Sequence, residues 1–195
     1  MPRMLASAER LTLLHLARLS VTHAANAQPL PPLPTQEYSA ALQAAGISFV
    51  TLTRGGALRG CIGGLEARLP LAEDVWQHAY AAAREDPRFE PITPPELIEV
   101  RIEISRLTPA RPLELPPEQI PAALRPGSDG VILRRGLQRA TFLPQVWEKV
   151  RDPELFLDML ADKAGLPRQA WRQGEVEVLV YQVESFEEEP LASAP

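Results

Sequence analysis

Ile47-Ser48-Phe49-Val50-Thr51-Leu52-Thr53-Arg54-Gly55-Gly56-Ala57-Leu58-Arg59-Gly60-Cys61-Ile62-Gly63-Gly64 is the stretch on which the fold turns. Ile47 to Thr53 is rich in β-branched and aromatic residues and reads as a strand. Gly55-Gly56 supplies a turn. Gly60 to Gly64 then places three glycines in five residues. Glycine permits positive φ and close backbone approach, so Cys61 is expected on a sharp turn with its sulfur exposed. Backbone N–H groups in such a loop converge on an anion or an oxyanion. A neighbouring Arg59 favours a thiolate and can hold a carboxylate or phosphate. Free cysteine is also among the most buried residue types, so by spacing Cys61-Ile62 reads first as core. Spacing alone leaves both readings open.

On the N-terminal side, Ala6 to His23 is expected to be a helix, with Leu13, Leu16, Ala17, Ser20 and Val21 on one stripe. Gln28 to Pro34 is proline-rich and breaks it, forming an extended strap that serves as a connector or as a polyproline ligand. Thr35 to Ala45 reads as a short helix, with Thr35 as N-cap and Gly46 as stop. On the C-terminal side, Leu71 to Glu85 follows Pro70 as a helix, burying Leu71, Val75, Trp76, Ala79, Ala82 and Ala83. Glu96 to Leu107 alternates as a strand, with Val100, Ile102 and Ile104 opposite Arg101, Glu103 and Ser105. Pro109 to Pro126 loops around a short helix near Pro117 to Leu124. Gly130 to Leu133 and Leu137 to Leu143 read as paired strands joined through Arg134-Arg135-Gly136. Pro153 to Ala164 is a helix and Val176 to Val183 the last strand. The tail from Glu187 is expected to fray. With no repeat and no regular βαβ alternation, these elements predict an α+β fold, a mainly antiparallel sheet flanked by helices.

The 195 residues suit one domain, and a hydrophobic fraction of 45% allows a sizeable core. No run approaches a membrane span, and the amphipathic N-terminus does not read as a signal, so a cytoplasmic location is expected. A net charge of −5 argues against general nucleic-acid binding. The cations are arginines apart from Lys149 and Lys163, which leaves a local anion site open. One cysteine excludes an internal disulfide and a multi-cysteine metal site. His15, His23 and His78 lack metal-ligand spacing, and there is no P-loop or dinucleotide fingerprint. Neither a metal nor a cofactor is predicted. Glu103, on the polar strand face, is a candidate to accept from Arg59 or act as a base, and a solvated strand face is the alternative. Arg88 is a candidate to cap the preceding helix or to join the site. His78 is placed on a solvated helix face beside Asp74 and Glu85, and spacing does not support a dyad with Cys61.

Leu58-Arg59-Gly60-Cys61-Ile62-Gly63 resembles the signature hexapeptide of the AMMECR-one domain family. Asp86-Pro87-Arg88-Phe89, Ile102 to Ser105 with Leu107-Thr108-Pro109, Leu143 to Val146, and Lys163 to Pro167 with Trp171 resemble further blocks of that family, in order. Together they cover roughly residues 10 to 187. Arg139 to Phe142, Glu90 and Ala161-Asp162 depart from its pattern. The resemblance implies an α+β fold with a smaller helical lobe, as a single domain over residues 1 to 188, in one or two lobes, before a flexible tail at 189 to 195. It implies a bacterial relative of the A component of the AmmeMemoRadiSam system, associated with a Memo-like protein and a radical S-adenosylmethionine (SAM) enzyme. The site it implies has Cys61 and Glu103 in catalytic roles, with Arg59, Gly60, Ile62, Gly63 and Arg88 binding a small anionic ligand. One functional expectation is therefore a catalytic or ligand-binding component of a modification system. The other is a non-catalytic adaptor in which Cys61 is structural. The sequence leaves the oligomeric state open.

Overall fold

Ile47 to Thr53 is rich in β-branched and aromatic residues, and the computed structural model, which describes residues 4–189, makes this stretch part of the strand β1 (Ala45–Arg54). The hexapeptide lies in β2 (Ala57–Gly63), and Gly55 and Gly56, at φ +57° and +80°, form the tight turn between them. Positive φ at both central residues is what a I′ hairpin turn requires. β1 also pairs antiparallel with β3 (Leu69–Pro70) at one end and with β4 (Val100–Leu107) along its length. Thr51 stands opposite both Cys61 and Glu103. The register slips between Leu52 and Thr53, leaving Arg59 as the extra residue of a β-bulge.

This sheet belongs to the first of two compact units, which comprises residues 1–107 and 184–195. Val50, Leu52, Val100, Ile102 and Ile104 are fully buried and share one core with residues of the helices α1 (Ser7–Ala25) and α3 (Leu71–Arg84). Both helices bury the faces their periodicity predicts. Ser20 Oγ on α1 donates to the Trp76 carbonyl on α3 at 2.6 Å.

Between them, the expected helix over Thr35–Ala45 is reduced to a 3-10 turn at Thr35–Glu37 and one helical turn, α2 (Ala40–Gln43). Ser39 takes an extended conformation (ψ 156°) that interrupts the run, and Thr35 caps nothing. Gly46 is no helix stop. It lies in β1 opposite Leu69, where an added Cβ would sit 2.7 Å from Leu71 Cβ. The predicted strand at Glu96 begins only at Val100, because Pro94–Ile98 forms a 3-10 turn with Thr93 and Glu96 as its capping box.

α1 closes on a Schellman motif: the Ala27 N–H donates to Ala24 O at 3.0 Å and the Gln28 N–H to His23 O at 2.9 Å. Ala27 sits at φ +53°, a conformation that favours glycine. Replacing Ala27 by glycine is expected to stabilise the protein by about 0.5 to 1 kcal/mol, net of the entropy gained by the unfolded chain. A lower urea midpoint for Ala27→Gly would contradict this.

The second unit, residues 108–183, is also α+β. It contains β5 (Arg111–Pro112), α4 (Ile120–Ala123), β6 (Asp129–Arg135), β7 (Gln138–Phe142), α5 (Pro153–Lys163) and β8 (Glu177–Glu187) up to Val183. β6 pairs antiparallel with β7 and β8, and β5 pairs antiparallel with β8 on the opposite side from β6. The β6–β7 hairpin turns at Gly136-Leu137 rather than over Arg134 to Gly136, because Arg134 and Arg135 pair within β6 and Gly136 supplies the positive φ (+59°). Asp152 caps α5, accepting from the N–H groups of Glu154 and Leu155 at 2.8 and 2.9 Å. In the core Trp147 stacks on Phe156 at 3.7 Å between ring centres. The expected fraying from Glu187 is not observed up to Glu189. Glu187 ends β8, and Glu188 pairs with Arg18 while its N–H donates to Ile102 O at 3.0 Å. The rest of the expected tail, 190–195, lies outside the described residues. Among the described residues no helix is long and apolar enough to cross a membrane.

Candidate functional site

The hexapeptide is a strand, not the sharp turn expected from its glycines. Of the glycines in this stretch only Gly55 and Gly56 have positive φ. Gly60 and Gly63 serve close approach instead. A Cβ on Gly60 would lie 2.1 Å from the Ala82 carbonyl oxygen of α3, and one on Gly63 would lie 2.4 Å from the Phe49 ring. The extended backbone points successive N–H groups in opposite directions, so they do not converge on one anion.

β2 is an edge strand of the first unit's sheet, and Cys61 occupies the pair position whose backbone groups face outward. Its N–H donates to Asp86 Oδ2 at 2.9 Å and its carbonyl accepts from Arg88 Nη2 at 3.3 Å. The Asp86-Pro87-Arg88 segment thus covers a strand edge that would otherwise be open. Side chains approach most closely at such non-hydrogen-bonded pairs, and Thr51 Oγ1 donates to Cys61 Sγ at 3.4 Å. Gly60 and Ile62 face α3 and the core, so Cys61 projects from the opposite face of the sheet. Thr51 and Glu103 project from that same face in the same row, and all three are half-buried.

Asp86 organises this edge. It is 4% exposed and holds Arg88 through Nε (2.9 Å), Nη2 (2.7 Å) and the backbone N–H (3.1 Å). The Arg88 hydrogen bond holds its carboxyl well below the usual carboxylate range, despite burial and with help from the Cys61 N–H. Arg88 is raised above its ordinary value, first by the Asp86 hydrogen bond and then by the Asp86 charge, against the cost of desolvation. Its side chain is 55% exposed, so it presents a cation to solvent beside the cysteine.

The other predicted residues are differently placed. Arg59 does not meet Glu103. Its bulge position directs it to Glu96, which it grips at 2.9 and 3.2 Å, and to the carbonyls of Glu90 and Pro91. Arg59 and then Thr93 lower the Glu96 carboxyl to about 2. Glu103 instead accepts from Ser105 Oγ at 3.4 Å. Arg88 does not cap the helix before it but binds Asp86 and the Cys61 carbonyl. Ile62 packs against the core. His78 is only 21% exposed, with Nδ1 3.2 Å from Asp74 Oδ2 but off hydrogen-bond alignment, and Asp74 holds Ser48 Oγ at 2.6 Å. No Cys61–His78 dyad forms, because α3 lies on the other face of the sheet.

Sequence reasoning missed Asp86, Thr51 and Glu96. For Asp86 a local signal exists: an aspartate two residues before another N–H donor favours an Asx turn, which Asp86 and Arg88 form. For Glu96 the Thr93-Pro94-Pro95-Glu96 spacing of a capping box marks the turn but not its partner Arg59, and for Thr51 there is no local signal, since its partners are set by register.

With this geometry in hand, comparison with known proteins is informative. The sequence profile described as AMMECR1 matches residues 14–186. A protein of Methanothermobacter thermautotrophicus is 39% identical over 180 residues, 91% of this chain and 93% of its own. One from Thermococcus gammatolerans is 44% identical over 147 residues, 72% of each chain. The crystal structure of uncharacterized protein PH0010 from Pyrococcus horikoshii superposes with a TM-score of 0.73 at 35% identity, covering 91% of this chain and 90% of that one. A profile match over most of the chain, a relative aligned over nine-tenths of both chains and a shared fold together establish that this chain belongs to the AMMECR1 family.

Proposed function

We propose that the protein is a ligand-binding or catalytic component of a modification system and works through the Cys61 face of β2. In this reading it acts alongside a Memo-like protein and a radical SAM enzyme. The observation that carries the reading is the edge arrangement of Cys61: a thiol flanked by the Thr51 hydroxyl and by the solvent-facing Arg88. The cation beside the thiol is Arg88, since Arg59 is spent on Glu96. Glu103 stands two strands from Cys61, roughly 10 Å at ordinary strand spacing. Across that distance it does not take the thiol proton directly. It instead assists proton transfer at the near end of a ligand lying over Thr51, whose anionic end Arg88 holds.

Alkylation tests this in the folded protein. Cys61 is expected to react with iodoacetate faster, relative to neutral iodoacetamide, than an unfolded thiol does. Arg88→Ala should reduce that preference by roughly threefold or more, the order of effect of one nearby unit charge in water. A Cys61 inert to both reagents would overturn the reading.

The alternative is an adaptor in which Cys61 is structural. It is favoured by the engagement of the residue's N–H, carbonyl and sulfur at once. It predicts an inert thiol.

A further inference from the structure

Pro29-Leu30-Pro31-Pro32-Leu33-Pro34 lies far from any role in the Cys61 site, yet it is not a slack connector. Its burial has a period of three. Leu30 and Leu33 are half-buried and pack against the first unit's core, whereas Pro29, Pro31, Pro32 and Pro34 are all exposed. Three residues per turn is the repeat of a polyproline II helix, in which positions three apart share a ridge. The backbone contacts keep the same period. Tyr80 OH donates to the Gln28 carbonyl at 3.2 Å, and Trp76 Nε1 donates to the Pro31 carbonyl at 3.0 Å. Gln28 and Pro31 are one such turn apart, and Trp76 and Tyr80 are one turn apart on α3. The Schellman motif at Ala27 fixes where the segment leaves α1.

From this we infer that residues 28–33 are a polyproline II ligand presented on a rigid helical platform and ended by a tight turn at Pro34, where the Thr35 N–H donates to Leu33 O at 2.9 Å. Its partner is a protein groove lined by aromatic side chains. One ridge, Leu30 and Leu33, anchors the segment to its own protein. The two remaining ridges, Pro29 with Pro32 and Pro31 with Pro34, face solvent as overlapping P-x-x-P pairs, the pattern such grooves read. Docking the leucines in cis removes ordering entropy that a free proline-rich peptide loses on binding.

The test uses the full chain and, as probes, isolated SH3 and WW domains with known proline-peptide preferences, titrated by fluorescence. At least one domain should bind saturably, and Pro29→Ala/Pro32→Ala should weaken it by about tenfold or more. These prolines are exposed, so an unchanged thermal midpoint shows that the variant is folded. The inference is overturned if no probe binds, or if binding survives the double substitution unchanged.

Discussion

Gly60→Ala is expected to destabilise the protein by at least about 3 kcal/mol, the upper range for overpacking a tight interior. The added methyl would meet the Ala82 carbonyl oxygen at 2.1 Å. That atom is helix backbone, so no rotamer change relieves the clash. Either α3 must lift from the sheet or β2 must shift, and a shift of β2 carries Cys61 with it. Gly55→Ala is the matched control. Its Cβ meets nothing within 4 Å, and only its φ of +57° is strained, at about 1 to 2 kcal/mol. Denaturant unfolding of the two variants would separate close approach from backbone conformation. Equal losses would show that the glycine at 60 is not there to admit α3.

Asp86→Ala carries the second large effect, an expected loss of about 3 kcal/mol. It leaves the Cys61 N–H without its acceptor and releases Arg88 from a bidentate grip. Asp86→Asn keeps one acceptor without the charge and should lose less. The pH dependence has a definite sign. The folded carboxyl titrates well below its ordinary 3.8, chiefly because of Arg88, so its contribution is fully present above that value and is lost as pH falls below it. Glu96 acts likewise, between its ordinary 4.5 and about 2. Stability should therefore drop steeply between about pH 4.5 and pH 2. In Asp86→Ala that drop should be shallower, and an identical acid limb in the two proteins would count against the assigned role.

These effects join stability to the proposed chemistry, because Asp86 serves both. Removing it unlatches the edge of β2 and frees Arg88 to swing away from the thiol. A change in the iodoacetate preference of Asp86→Asn beyond its loss of stability would show that Arg88 acts only when positioned.

Periodicity made much of the first unit legible. The stripes of α1 and α3 and the alternation of β4 follow from apolar spacing and are buried as read, and β1 forms where β-branched and aromatic residues gather. The short helix read near Pro117 to Leu124 is present as a 3-10 turn (Pro117–Gln119) and α4, but the one read over Thr35 to Ala45 is not. Over Thr35–Ala45 the composition favours a helix, but Ser39 extends the chain and Gly46 is needed in β1 against Leu71. Local preference gave way there to tertiary packing.

By itself, the sequence determined the α+β class and the family, because these rest on residue type and order. It could not determine what the hexapeptide's glycines are for. Positive φ and close approach both call for glycine, and only the position of Ala82 and Phe49 distinguishes them. Nor could it say which arginine stands beside the cysteine. A one-residue bulge turns Arg59 toward Glu96, and a strand edge brings in Arg88 from 27 residues away. Register and edge pairing are properties of strands already assembled, so this choice belongs to the tertiary structure alone.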